Sequence, residues 1–220
     1  IEYLQNKGVG GIYIQEGEPD EDELELEMQI PQFTREVIEK NRVEDRAKVK
    51  LTESVRKRVG EGIQFLYTNT DSENFAEATN NVTDALMKTI TDNDAVAVDI
   101  GMLKVSDEYT FKHSVDVATM AMIIGKKYGL PDRELHELGI AGLLHDVGKT
   151  KIPNEVLNKP AKLTDDEFAL MKQHTLFGFE ILKKKDEFPE SIMKGVLQHH
   201  EKINGRGYPL GVPETKIHRY

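Results

Sequence analysis

Leu143-Leu144-His145-Asp146-Val147-Gly148-Lys149 is the stretch on which the fold turns. Leu135, Leu138, Ala141 and Leu144 recur at helical spacing and predict a buried helix ending at His145. Three polar groups, His145, Asp146 and Lys149, emerge together from that core. An imidazole beside a carboxylate offers one neutral and one anionic ligand, and a divalent cation of borderline hardness accepts both. The two oxygens of Asp146 suit it to bridging two ions. Taken alone, a His-Asp pair is better read as a helix-end hydrogen bond, so the surrounding sequence has to decide.

Four further histidines tip the reading. His113 lies in TFKHSVDVA at the start of a helix whose apolar face reads through Val117, Met120 and Ile124. His174 lies in MKQHTLFG, one turn beyond Leu170. Its helix opens with a capping box, Thr164 to Glu167, and a hydrophobic staple of Leu163 with Phe168, and is expected to run to about Lys184. His199 and His200 precede Glu201 in QHHEKINGRGYP. Neighbours on a helix point about 100° apart, so these two imidazoles suit two different metals. Each histidine alone is more economically structural. Five of them with one aspartate, in helix-rich sequence, are not, because every buried imidazole needs a partner.

Working outward, the 220 residues suffice for one good-sized domain and a small appendage. Hydrophobic residues at 38% and charged residues at 31% are the balance of a soluble globular chain. The longest apolar stretches fall short of a membrane span, no basic-then-apolar leader is present, and a cytoplasmic setting is expected. Without cysteine, only imidazole and carboxylate remain as transition-metal ligands. A net charge of -10 argues against duplex nucleic acid as a partner, whose binding rests on neutralising phosphates. A small anion needs only local positive charge, which a metal centre with a lysine supplies.

Residues 1–50 read as a partial N-terminal region, with a short strand at Ile12-Tyr13-Ile14 and an acidic, solvated linker over Glu16–Glu27 that lacks the spacing of a calcium loop. Residues 51–94 read as two connecting helices. The first carries Val55, Val59, Ile63 and Leu66; the second starts at a capping Ser72 and carries Phe75, Val82, Leu86 and Ile90. They are expected to pack on each other or across a homodimer. Residues 95–220 hold all seven histidines, so the chemistry belongs there. The fold class is all-α.

HDVGK, KPAKLTDDE, MKQHTLFG and HHEKINGRGYP stand in the order that identifies the HD-GYP family, and the chain resembles it from about Asp107 to Ile217. The segment YLQNKGVGGIYI is similar to the small domain preceding some members. The resemblance implies an HD-type helical bundle with two or three metals, often iron or manganese, that hydrolyses cyclic di-GMP. It implies His113, His145, Asp146, His174, His199 and His200 as metal ligands, Asp146 and Lys149 in catalysis, and Lys149, Gly207, Tyr208 and Pro209 at the substrate. Zinc and nickel suit the same donors. Members with a third metal carry a glutamate where Tyr109 stands, with Glu108 one residue off, which disfavours a third ion. Members also continue, beyond the equivalent of Tyr220, into a helix with another metal-binding aspartate.

The reaction implied is in-line attack of water on a phosphodiester, with the metals activating water and neutralising charge and Lys149 adding positive charge. Linear pGpG, or GMP after a second cut, would be the product. The alternatives are a degenerate module that binds nucleotide or a signalling protein, and a hydrolase of another cyclic dinucleotide such as cyclic GMP-AMP.

Overall fold

The computed structural model describes residues 48–50, 52–92, 97–99 and 108–220, all in a compact unit spanning Arg46–Tyr220. The strand expected at Ile12–Ile14 and the acidic run at Glu16–Glu27 lie outside the described residues. Helix α1, Glu53–Thr68, is capped by Thr52, whose hydroxyl accepts the Val55 N–H. It buries Val59, Ile63 and Leu66 on the predicted face. Helix α2, Phe75–Asp92, buries Phe75, Val82, Leu86 and Ile90 and packs on α1. It starts three residues later than its serine suggests. The Ser72 hydroxyl accepts the Asn74 N–H and its carbonyl accepts the Phe75 N–H, so Ser72 does cap the free N–H groups, through a turn that leads into the helix.

Helix α3, Glu108–Tyr128, packs along α4, Asp132–Leu144. Here the predicted face is wrong: Met120 is 52% and Ile124 60% exposed. The buried face instead runs through Phe111, Val115, Ala118 and Met122. That stripe is disguised by polar residues whose hydroxyls find partners. Ser114 bonds the Tyr67 hydroxyl at 2.7 Å, and Thr119 donates to the Val115 carbonyl. Helix α4 ends at the expected place with Leu135, Ala141 and Leu144 buried.

A 3-10 turn, Val147–Lys151, and a short helix α5, Asn154–Leu157, follow. The capping box of Thr164 and Glu167 opens α6, Asp165–Lys172, as predicted. The helix does not run on to Lys184. It breaks at Gln173, whose N–H bonds the Leu170 carbonyl one residue early, and α7, His174–Lys183, begins at the next residue. Helix α8, Glu190–Gln198, completes the bundle. Its core joins α1, α2, α3, α4, α7 and α8 in one apolar cluster. The described residues also include two three-residue strands, β1 (Lys48–Lys50) and β2 (Ala97–Asp99), paired in parallel. They are too short to form a layer, and the architecture is an all-α bundle.

Candidate metal centre

Three helix C-termini meet at one place. His145 is the C-cap of α4, His199 the C-cap of α8, and His174 stands at the break between α6 and α7. The last carbonyls of a helix have no N–H partner within it. Each of these imidazoles supplies one: Nδ1 of His145 lies 2.7 Å from the Gly142 oxygen, that of His174 2.8 Å from Met171 O, and that of His199 2.8 Å from Val196 O. A donating Nδ1–H orients the ring and leaves the lone pair on Nε2, as metal-ligating histidines require. The negative ends of the α4 and α8 dipoles also favour a cation here.

Asp146 stands between two groups of donors. Its Oδ2 is 3.1 Å from His145 Nε2 and 3.8 Å from His113 Nε2, while its Oδ1 is 3.4 Å from His174 Nε2 and 3.9 Å from His199 Nε2. His145 and His113 approach each other Nε2 to Nε2 at 3.2 Å, and so do His174 and His199. His113, His145 and Asp146 thus form one potential metal trio and His174, His199 and His200 a second, with donor atoms in each within 4.8 Å of one another. The six ligand residues of the sequence reading are brought together here.

The donor set fits metal. Two donors about 2.0 to 2.2 Å from one ion lie about 3.4 Å apart at a tetrahedral angle, and the spacings above bracket that value. His174 and His199 have both committed Nδ1–H to carbonyls, so two lone pairs face each other. Such a contact suits a shared cation between them. Electrostatics keeps the site ready. Burial, reinforced by neighbouring imidazoles, pushes His199 down to about 3 and His200 down to about 4, and burial lowers His113 and His174 as well. Burial would raise the Asp146 carboxyl, but the His145 ring and the Lys149 ammonium outweigh it and hold it well below the usual range. Burial thus favours the neutral form of His113, His174, His199 and His200 while Asp146 is held charged, as metal binding asks of such groups.

Lys149 projects from the 3-10 turn with Nζ 2.7 Å from Asp146 Oδ2, so it belongs to the same pocket. The Tyr208 ring stacks on His200, centroids 4.5 Å apart. Gly207 and Pro209 reach the site through the chain at Tyr208; a Cβ at Gly207 would lie 2.4 Å from Glu201 Cα. The side chains of Glu108 and Tyr109, in the first turn of α3, are outside the described residues.

Three contributors escaped sequence reasoning. Tyr67, buried in the core, bonds Ser114 beside His113 and donates to Leu143 O near His145, tying α1 to the two helices that carry these histidines. Gly148 lets the 3-10 turn lie against α7. Glu201 binds the backbone of the following loop. Only Gly148 and Glu201 had a visible trace, their place inside HDVGK and HHE.

Comparison with known proteins agrees with this geometry. A cyclic di-GMP phosphodiesterase of Pseudomonas aeruginosa, PA4108, is 44% identical over 115 residues, covering 52% of this chain and 28% of that protein. The 3'3'-cGAMP-specific phosphodiesterase 3 of Vibrio cholerae is 36% identical over 109 residues, covering 50% of this chain and 24% of that protein. The chain thus spans less than a third of the length of these curated relatives. Among solved structures, Bd1817 from Bdellovibrio bacteriovorus, an HD-GYP-type protein, shares the fold with a TM-score of 0.59 at 23% identity, covering 90% of this chain and 64% of that one. The HD domain family matches residues 98–219, more than half the chain. The chain belongs to the HD domain family and, by its HHE-to-GYP string, to the HD-GYP group within it.

Proposed function

We propose that this chain carries the metal centre of a phosphodiesterase that hydrolyses cyclic di-GMP. One observation carries the reading: a single buried carboxylate, Asp146, turns one oxygen to the His113 and His145 trio and the other to the His174, His199 and His200 trio. That is the donor arrangement of a two-ion phosphoryl site. Bound there, divalent ions, iron or manganese by the family's habit, supply Lewis acidity to the phosphate and activate water. The protein's own share is to hold neutral imidazoles and a charged carboxylate in place and to set Lys149 at the rim, where its ammonium meets a phosphate oxygen. Curated relatives of the matched region are named as cyclic di-GMP phosphodiesterases in Pseudomonas aeruginosa, Thermotoga maritima and Xanthomonas campestris.

A second substrate has specific support, since three relatives from Vibrio cholerae, 33% to 39% identical, are named 3'3'-cGAMP-specific. The deciding experiment supplies the protein with Mn2+ or Fe2+ and follows cyclic di-GMP and 3'3'-cGAMP by product chromatography. Faster loss of cyclic di-GMP to pGpG or GMP supports the proposal. Faster turnover of the mixed dinucleotide moves the assignment to it, and metal binding with neither activity leaves a nucleotide-binding module. Among the described residues no helix is long and apolar enough to cross a membrane. Action in the cytoplasm, where cyclic dinucleotides circulate, is part of the same proposal.

A further inference from the structure

His200 is held differently from its neighbours. His145, His174 and His199 are each oriented by Nδ1 on a carbonyl three residues back. The His200 ring has no hydrogen bond among the described residues. It is instead covered by Tyr208, with centroids 4.5 Å apart and the planes inclined by only 22°. Tyr208 is placed by a loop that closes on Glu201. The Glu201 carboxylate accepts three successive backbone N–H groups, Leu210 at 2.7 Å and Gly211 at 3.1 Å on Oε1 and Val212 at 3.2 Å on Oε2. Consecutive N–H groups converging in this way form an anion-binding nest, and here the anion is the chain's own side chain. The Tyr208 N–H bonds the His200 carbonyl at 3.2 Å, and Gly207 presses so closely on Glu201 that a Cβ would overlap it. Tyr208 is thus fixed relative to His200 by its own N–H on the His200 carbonyl and by the loop that Glu201, the next residue, holds closed.

We propose that Glu201 and Tyr208 are positioning residues that orient His200, and that they thereby set the second metal trio, His174 with His199 and His200, without touching the first. The inference rests on the metal-centre reading above. Metal-ligating histidines owe their fixed orientation to an outer partner, and loss of that partner costs about 10- to 100-fold in metal affinity. For His200 the outer partner is an aromatic face. The role predicts a difference between the two trios, because the His113, His145 and Asp146 donors come from α3, α4 and the turn after it, with no contact to the Glu201 loop among their hydrogen bonds.

The test titrates the metal-free 220-residue chain with Mn2+ and counts bound ions by electron paramagnetic resonance, with circular dichroism and melting temperature as controls for folding. The parent should bind two ions. Tyr208→Leu and Glu201→Ala should each bind the first ion within about threefold of the parent and the second about 10- to 100-fold more weakly. Tyr208→Phe keeps the ring and should restore the second site. Glu201→Gln keeps one oxygen for Leu210 and Gly211 and should fall between. Unchanged second-site affinity in Tyr208→Leu overturns the inference. So does equal weakening of both sites in a folded variant, which would mean general loosening. A parent that binds no Mn2+ defeats the metal-centre reading itself, and this inference with it. If Glu201→Ala fails to fold, Tyr208→Leu and its Phe counterpart still decide.

Discussion

Replacing Gly148 by alanine should damage the metal centre although Gly148 touches no ligand side chain. A Cβ there would sit 1.9 Å from the His174 carbonyl oxygen and 2.4 Å from the Gly178 N, both backbone atoms. Opening the 1.9 Å gap to the 3.0 Å that real neighbours require separates the 3-10 turn from α7 by about 1.1 Å. Asp146 and Val147, buried in that turn, and His174 at the start of α7 move apart by the same amount. The 3.4 Å between Asp146 Oδ1 and His174 Nε2 then approaches about 4.5 Å, beyond what two donors on one ion span. Overpacking a core costs about 1 to 3 kcal/mol, with a small offset of about 0.4 to 1 kcal/mol from the less flexible unfolded chain. With both clashing groups in the backbone, a net loss of about 2 kcal/mol is expected, or about 4 to 8 °C in Tm for a chain of this size. Thermal melting at 222 nm with a parallel count of bound Mn2+ measures both effects. A Gly148→Ala protein that melts within 2 °C of the parent and holds two ions would refute the reasoning.

Asp146→Ala should empty both trios, since each uses a different oxygen of the one carboxylate; elemental analysis finding one full site would show that the bridge is dispensable. Lys149→Ala should keep metal near the parent level and lower kcat/KM for the cyclic dinucleotide by about 100- to 1000-fold, the worth of one charge-stabilising donor at about 2.7 to 4 kcal/mol; lost metal would instead make its 2.7 Å contact with Asp146 a support for the ligands. At the far end of α4, Glu137 accepts from Ser191 at 2.6 Å and Arg133 at 3.0 Å. Burial alone would raise it, but these bonds outweigh that and lower its pKa. Its contribution is therefore complete above the unfolded value of about 4.3 and lost as pH falls further. Glu137→Gln should be about 1 kcal/mol less stable than the parent at pH 7, with the gap narrowing as pH falls below the unfolded value; a constant gap in denaturant midpoints would contradict this.

Much of the site was legible in the residues themselves. His145 and Asp146 betrayed their place because leucine spacing carried a buried helix straight into them, and an apolar stripe that ends on charge implies a pocket. The capping box at Thr164 was equally readable, since it depends on four adjacent residues alone. What was lost depended on tertiary partners. On α3, two apolar faces lie side by side and the buried one includes Ser114, which becomes a core residue only because Tyr67 reaches it from another helix. Tyr67, for its part, lies one residue past Leu66, the last member of the α1 stripe, and nothing in the sequence marks it as that partner. Glu201 stood in a quoted motif, yet its bonds run to Leu210, Gly211 and Val212, and no spacing rule announces a carboxylate that binds a backbone nine to eleven residues on.

The unexpected break of the capped helix at Gln173 shows why the site forms where it does. Had α6 continued through His174 as the periodicity suggested, the Met171 carbonyl would have been taken by an amide one turn later, as in any helix interior. His174 would then have had no free acceptor for Nδ1 and no reason to present Nε2. Ending the helix frees that carbonyl, and His174 takes it at 2.8 Å, repeating what His145 does at the end of α4 and His199 at the end of α8. Three helix stops thus provide three oriented imidazoles around Asp146, and the ends of α4 and α8 add their negative dipole ends. The local cost of stopping a helix in a core is an unsatisfied carbonyl, and at each of these stops a histidine of the proposed metal centre satisfies it. A substitution that restored helical continuity across Gln173 would therefore favour the bundle locally while turning the His174 Nε2 away from Asp146.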